Sequence, residues 1–149
     1  MATGYCTFHL DGLFLGVEVT KVQEVIRHQE TTRIPLVSPI VKGLINLRGE
    51  IVTTVDLRRR FDLPDWPEGH QPMNVVIRTD DGIVSLLVDE IDDVLELSDD
   101  AFEEPPATLR GTTRDLVAGV HKLQGRLLLT LDTDRLLELP SHAASRVEA

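Results

Sequence analysis

A segment of 24 residues occurs twice in this chain of 149 residues, displaced by 76 positions and aligned without a gap. The first copy, Val41 to Pro64, reads VKGLINLRGEIVTTVDLRRRFDLP, and the second, Val117 to Pro140, reads VAGVHKLQGRLLLTLDTDRLLELP. The nine identical pairs are Val41/Val117, Gly43/Gly119, Leu47/Leu123, Gly49/Gly125, Thr54/Thr130, Asp56/Asp132, Arg59/Arg135, Leu63/Leu139 and Pro64/Pro140. Self-similarity of this kind predicts that the chain folds as two related halves.

A weaker repeat precedes each copy. Asp11-Gly12 and Asp81-Gly82 each separate two short apolar runs. An Asp-Gly pair between apolar runs predicts a β-hairpin, because glycine adopts positive φ and aspartate hydrogen-bonds the local backbone. The segment after the first hairpin, Val19 to Ile26, has valines at helical spacing with Thr20 as a possible cap, whereas Ile91 to Leu97 alternates as a strand does.

Each copy of the strong repeat predicts two strands around a glycine turn and then one helical turn. The helical turns are Leu57 to Phe61 and Thr133 to Leu137, with Asp56 and Asp132 as their N-caps. Pro64 and Pro140 would end them. The acidic stretch Ser98 to Thr113, which contains Pro105-Pro106, predicts a long surface loop.

Many short strands in two copies predict a mostly-β protein built as paired small barrels or as a sandwich. We expect a single domain, with a first lobe over residues 5–64, a connector at 65–72, a second lobe over 73–140 and a polar tail at 141–149. Units of about 70 residues bury little surface alone, so the two lobes should share an apolar seam.

Composition narrows the function. The formal net charge of −10 disfavours a general role in binding nucleic acids or anionic membranes, and 4% aromatic residues argue against a base-stacking surface. The single cysteine, Cys6, allows no internal disulfide, fits a reducing cytosol and is expected as a buried strand thiol. No apolar run approaches the length of a membrane span, and the N-terminus does not have the pattern of a signal peptide.

No arrangement of residues predicts an enzyme, a cofactor site or a metal site. The five histidines lack metal-ligand spacing, and His121 is expected on a strand surface. The acidic run from Asp89 to Asp93 and the run Arg58 to Arg60 are expected as solvated faces. The repeat instead supplies an internal comparison, in which Asn46-Leu47-Arg48-Gly49 stands where the second copy has Lys122-Leu123-Gln124-Gly125. The guanidinium of Arg48 beside a tight turn is suited to a carboxylate or carbonyl partner.

The stretch Lys42 to Gly49, followed by Ile51-Val52 and Val55 to Arg58, resembles the signature of the CheW coupling-protein family of bacterial and archaeal chemosensory systems. Further matching motifs, in the same order, are Lys21 to Val25, Arg33-Ile34-Pro35, Val88-Asp89, Asp93-Val94-Leu95 and Pro105-Pro106. The resemblance spans about residues 5 to 139. Two departures are Thr53, where many members carry proline, and Glu90, where glycine is common.

The resemblance implies two intertwined, pseudo-symmetric SH3-like barrels of five strands with short helices. It also implies a non-enzymatic cytoplasmic adaptor, recruited to receptor arrays at the membrane without inserting into it. Such an adaptor joins the cytoplasmic tips of chemoreceptors to the regulatory domain of a CheA-type histidine kinase. By resemblance, the receptor-binding groove lies between the barrels and would be lined by Val22, Glu24, Val25, Asn46, Arg48 and, more weakly, Val94.

The resemblance further implies that Glu24 pairs with Arg48, while Gly43, Gly49 and Gly125 are expected as structural turn residues. Two alternatives stay open at this point. One is a related adaptor in a chemosensory pathway that does not control motility, and the other is a sensor that binds a small ligand between the barrels.

Overall fold

Strands dominate the structure, a computed structural model that describes residues 1–33 and 39–137. The elements of the first half are β1 (Ala2–Leu10), β2 (Leu13–Glu18), a 3₁₀ turn (Val19–Lys21), β3 (Val22–Ile26), β4 (Val41–Leu47), β5 (Glu50–Asp56) and α1 (Leu57–Arg60). Those of the second half are β6 (Met73–Thr79), β7 (Gly82–Val88), β8 (Glu90–Ser98), a 3₁₀ turn (Asp99–Ala101), β9 (Phe102–Glu103), α2 (Gly111–Leu116), β10 (Val117–Leu123), β11 (Arg126–Leu131) and α3 (Thr133–Leu137). The mostly-β prediction is confirmed.

The strands form two sheets, and each sheet contains strands from both halves of the sequence. The five-stranded sheet has the order β3-β6-β7-β5-β4, and the six-stranded sheet has the order β8-β1-β2-β11-β10-β9. The first hairpin of each half therefore joins the second hairpin of the other half, through the parallel pairs β5–β7 and β2–β11. The implied intertwining is confirmed. The six-stranded sheet exceeds the expected five strands because the short β9 adds to its edge.

Three apolar clusters form the core of the protein. One lies inside the five-stranded sheet and consists of Ile45, Leu47, Val52 and Val76, with Ile26 and Ile83 against them. One lies inside the six-stranded sheet and contains Tyr5, Phe14 and Leu128. The largest is the seam between the sheets, and it draws on both, as with Phe8, Leu15, Val55, Ile77 and Leu129. The shared seam predicted from the small size of the halves is thus present.

The Asp11-Gly12 turn and the two aspartate caps occur where the sequence predicts them, whereas the second hairpin turns at Asp80-Asp81, one residue before the predicted Asp81-Gly82. Asp11 (φ 48°) and Gly12 (φ 82°) both have positive φ, as the two-residue turn of a hairpin requires. The side chain of Asp56 accepts a hydrogen bond from the Arg59 amide at 3.1 Å. Asp132 accepts one from the Arg135 amide at 3.2 Å. The repeated aspartates are therefore helix caps, as predicted.

The helical prediction for Val19 to Ile26 is wrong. Only a 3₁₀ turn forms before β3, and no side chain caps it. The cause is a β-bulge. Val22 lies opposite Ile77 and Val25 lies opposite Val75, so β3 advances by three residues where its partner β6 advances by two. The bulge places Val22 and Val25 on one face of a strand at a spacing of three, which imitates the spacing of a helix.

The loop prediction for Ser98 to Thr113 is wrong in part, since the stretch contains β9 and the start of α2. Gly43, expected in a turn, lies inside β4 at a bulge instead. A Cβ atom on Gly43 would lie 2.8 Å from the carbonyl carbon of Thr32, so glycine is needed there for the close approach of two backbones. Ile34, Pro35, Pro140 and the tail 141–149 lie outside the described residues.

Candidate interaction site

Glu24 and Arg48 meet where the five-stranded sheet closes on itself. β3 and β4 are the two edges of this sheet. Just after β3, Thr32 exchanges two backbone hydrogen bonds with Leu44 of β4, each 2.8 Å long. The Arg48 guanidinium donates a hydrogen bond to the Glu24 carboxylate across the same gap. The Arg48 side chain is 68% exposed and that of Glu24 is 24% exposed, so the pair leaves most of the guanidinium open to a partner.

The turn that carries Arg48 has an unusual backbone. Arg48 has φ of 51° and Gly49 has φ of 89°, so both central residues of the β4–β5 turn are left-handed. Asn46 stabilises the turn, because its side-chain oxygen accepts a hydrogen bond from the Gly49 amide at 2.8 Å. Gln124, which occupies the place of Arg48 in the second copy, is not among the described non-glycine residues with positive φ. The hydrogen bond between Asn46 and Gly49 therefore holds the turn that positions Arg48.

Val22 and Val25 lie on the seam side of β3, whereas Glu24 lies on the opposite side. Their cross-strand neighbours Ile77 and Val75 belong to the seam cluster, and residues opposite one another in an antiparallel pair share a face. Val22 is half-buried against the seam, and Val25 is 43% exposed. The bulge thus brings an apolar seam face and the Glu24–Arg48 pair to one short edge strand.

Val94 occupies in the second half the place that Val25 has in the first. In β8, Ile91 lies opposite Phe8 and Val94 lies opposite Cys6. β8 therefore also advances by three residues where its partner β1 advances by two. The two β-bulges are therefore equivalent, and Val94 also faces the seam side. Val94 is 63% exposed, the more open of the two valines. The structure places Val94 in the six-stranded sheet, so the predicted set is divided between both sheets.

The edge strands that carry Val25 and Val94 are linked through their neighbouring strands. The 3₁₀ turn before β3 touches β1, since a Cβ atom on Gly4 would lie 3.3 Å from a methyl group of Val19. Gly4 lies directly opposite Glu96 on β8. β6, the partner of β3, also contacts β8. The edge strands that carry the predicted residues therefore both lie beside the contact between the sheets, and the space between these two edges is called the cleft below.

A buried polar network, which the sequence did not predict, links the ends of four segments. Arg58 donates to Asp89 through Nε at 2.9 Å and through a terminal nitrogen at 2.7 Å. Trp66 Nε1 and the Asp11 amide also donate to the Asp89 carboxylate, at 2.6 Å and 2.8 Å. Burial alone would raise the pKa of Asp89, but these hydrogen bonds outweigh it and lower the pKa below its ordinary value. The prediction that Arg58 and Asp89 belong to solvated faces is therefore wrong, since their side chains are only 10% and 16% exposed.

His121 is likewise buried rather than on a strand surface. Only 1% of it is exposed, and its ring lies between those of Tyr5 and Phe102, each with a centroid distance of 5.4 Å. Neither ring nitrogen has a hydrogen-bond partner among residues 1–33 and 39–137. Burial lowers the pKa of His121, against a smaller opposing effect of Asp99, so the ring is held neutral. Cys6 is half-buried in β1, and burial raises the pKa of its thiol.

The described residues contain no group of three or more His, Cys, Asp and Glu side chains arranged to hold a metal ion. In the same part of the chain, no helix has the length and apolar character needed to cross a membrane.

Comparison with known proteins gives a consistent result. Residues 4–141 match the model of the CheW-like domain. The chain is 31% identical over 134 residues to the chemotaxis protein CheW of Bacillus subtilis, covering 90% of this chain and 86% of that protein. It is 29% identical over 132 residues to the chemotaxis protein CheW of Thermotoga maritima, covering 89% and 85%. The crystal structure of the scaffolding protein TtCheW from Thermoanaerobacter tengcongensis superimposes with a TM-score of 0.83 at 24% identity, over 93% of this chain and 94% of that one.

Proposed function

This chain belongs to the CheW-like family, and we propose that it acts as a chemotaxis adaptor that couples the cytoplasmic tips of chemoreceptors to the regulatory domain of a CheA-type histidine kinase. The receptor would bind at the cleft beside β3, where Val22, Glu24, Val25, Asn46 and Arg48 lie, with Val94 on the facing edge. The observation that carries this proposal is the Glu24–Arg48 pair, which holds an exposed guanidinium beside the edge strand whose other face carries the exposed Val25.

The geometry suits an amphipathic helix. A helix of the receptor tip would place its apolar face against Val22, Val25 and Val94, in the way that helices bind apolar grooves. The binding energy of such an interface is concentrated in a few residues, among which arginine is enriched. Glu24 restrains Arg48 at one end only, so the guanidinium keeps donors for a carboxylate or carbonyl of the receptor.

The kinase would bind a different surface, at the ends of the barrels. An adaptor that holds two partners at once raises their effective concentration toward each other, and this requires no chemistry by the adaptor itself. We accordingly assign no catalytic residue and no cofactor to the protein. We also place it in the cytoplasm, recruited to receptor arrays without membrane insertion or nucleic-acid binding, in keeping with the net charge of −10.

The test compares Arg48→Ala with its repeat counterpart Gln124→Ala. A receptor-tip fragment is used to pull down each variant, and circular dichroism checks the fold. We expect Arg48→Ala to weaken binding about tenfold or more, since an interface arginine at the centre of the contact contributes on the order of 1.4 kcal/mol or more. Gln124→Ala should bind as the unmodified protein does, because it changes the same turn in the other lobe.

Two further variants separate charge from position. Arg48→Lys keeps the positive charge but loses the planar fork, so it should bind more weakly than the unmodified protein and better than Arg48→Ala. Asn46→Ala removes the hydrogen bond to Gly49 and should weaken binding through the position of Arg48. If Arg48→Ala and Gln124→Ala bind the receptor fragment equally well, Arg48 does not belong to the site.

A further inference from the structure

The two edges of the cleft carry opposite charges at equivalent positions. Arg27 follows Val25 by two residues, and Glu96 follows Val94 by two residues, so both lie at the same place relative to the two equivalent β-bulges. Asn74 of β6 donates to the Arg27 carbonyl at 3.2 Å, which keeps Arg27 in line with β3. Glu96 lies opposite Gly4, on the same face of β8 as Val94.

Both side chains are exposed, and neither forms an ion pair within the described residues 1–33 and 39–137. The charges around them reinforce the contrast. On the β3 side, Lys21 is exposed and Glu24 is already neutralised by Arg48. On the β8 side, Glu90 and Asp93 are exposed and add to Glu96. At the equivalent positions 27 and 96, the β3 edge is therefore basic and the β8 edge is acidic, while the exposed Glu18 and Glu30 lie before and after the β3 edge.

We propose that Arg27 and Glu96 determine which receptor helices the cleft accepts and in which direction they lie. This inference rests on the proposed function, because it concerns the same cleft. A matching helix carries an apolar stripe with acidic residues along one flank and basic residues along the other. The acidic flank faces Arg27 on the β3 edge, and the basic flank faces Glu96 on the β8 edge.

The direction follows from the geometry of a helix. Turning the same helix end over end exchanges its flanks, which would set its acidic flank against Glu96 and its basic flank against Arg27. Exposed charges of this kind contribute little affinity each, but like charges placed against one another disfavour the wrong arrangement. The apolar residues thus supply contact area, and the two charges select orientation and partner.

The experiment uses three designed helical peptides that share one apolar stripe. One has two acidic flanks, one has two basic flanks, and one has a flank of each sign. Fluorescence anisotropy at low salt measures their binding to the full-length protein and to the variants Arg27→Glu and Glu96→Lys. Arg110→Glu and Glu68→Lys, at exposed positions outside β3 and β8, are the matched controls for a change of net charge.

The unmodified protein should prefer the mixed peptide. Arg27→Glu makes both edges acidic and should transfer the preference to the basic peptide, whereas Glu96→Lys should transfer it to the acidic peptide. Each exchange should change the ratio of affinities by about three- to tenfold, an effect that fades at high salt. The double variant Arg27→Glu with Glu96→Lys should prefer the mixed peptide again, and the controls should keep the order of preference.

A receptor-tip fragment, measured alongside, separates the two possible failures. If the fragment and the peptides bind but the order of preference does not follow the charges at positions 27 and 96, the inference is overturned and the adaptor function stands. If the unmodified protein binds neither the fragment nor any peptide, the cleft is not a helix-binding site, and the proposed function fails together with the inference.

Discussion

Arg58 offers the sharpest test of how the two halves are held together, because it lies in α1 of one repeat and binds Asp89, which lies between β7 and β8 of the other. Both side chains are largely buried, with Arg58 10% and Asp89 16% exposed. The contact is bidentate, at 2.9 Å and 2.7 Å, and Arg58 also donates to the Pro64 carbonyl at 3.0 Å. The change to make is Arg58→Ala.

This substitution leaves the Asp89 carboxylate buried with only two of its donors, Trp66 and the Asp11 amide. Removing one partner of a buried ion pair costs about 3–5 kcal/mol, since the remaining charge loses its compensation. We expect Arg58→Ala to lower the free energy of unfolding by about 3 kcal/mol, the lower end of that range, because two donors remain. For a domain of this size, that corresponds to a decrease of about 6–12 °C in Tm.

Urea unfolding followed by circular dichroism measures the change, and Arg59→Ala is the matched control. Arg59 is 49% exposed and its nearest carboxylate oxygens lie at 3.5 Å and 3.6 Å, so its loss should cost less than about 1 kcal/mol. The reasoning is refuted if the two variants lose equal stability. A double-mutant cycle with Asp89→Asn should show a coupling energy of about 1–3 kcal/mol.

The pH dependence gives an independent check on the same network. The pKa of Asp89 is lowered in the folded state, so the unfolded chain binds the proton more readily. The stability that Asp89 contributes is therefore fully present above the ordinary pKa of an aspartate, about 3.9, and is lost as the pH falls through the lowered value. Arg58→Ala should reduce this loss at acidic pH, because the main charged partner of Asp89 is gone.

Two other substitutions have definite expected results. A Cβ atom on Gly119 would lie 2.6 Å from the Glu103 carbonyl oxygen, so Gly119→Ala should displace β9 and cost about 1–3 kcal/mol in urea unfolding. Gly4→Ala should cost less, because its Cβ would lie 3.3 Å from a methyl group of Val19 and would meet no backbone atom within 4 Å. The lowered pKa of His121 means that stability falls as the pH drops below about 6.5; His121→Phe should flatten Tm between about pH 5 and 7, and an unchanged slope would contradict the assignment.

The repeat made much of the fold predictable, since residues kept in both copies report on shared backbone geometry. Asp56 and Asp132 cap equivalent helical turns, and Gly49 and Gly125 have positive φ in equivalent turns. These features depend on local hydrogen bonds and local φ angles, which a single sequence encodes directly. Pairing between distant strands is different, and the exchange of hairpins between sheets was expected only from the family resemblance.

The wrong predictions share a physical cause, because contacts between distant segments decide which side chains are buried and where a strand bulges. His121 alternates with apolar neighbours in β10 but fills the space between Tyr5 and Phe102 that β9 creates. Asp89 belongs to an acidic run, yet it is the one residue of that run that meets a buried arginine and the Trp66 indole. The β3 bulge gives valines a helical spacing in a strand, so the period of the sequence indicated the wrong element.

The exchange of hairpins also explains where the two copies were free to diverge. Each sheet is built from strands of both halves, so a change at a buried position of one repeat disturbs contacts with the other. Gly43 and Gly119 are constrained within their own halves, because Gly43 accommodates the Thr32 backbone and Gly119 accommodates the Glu103 backbone. Exposed positions at turns and edge strands carry no such constraint, and the copies differ in charge at several of them. The two edges of a nearly symmetric scaffold differ chemically, since Arg48 stands in place of Gln124 and Arg27 in place of Glu96. A cleft with chemically distinct edges can hold a helix in one direction.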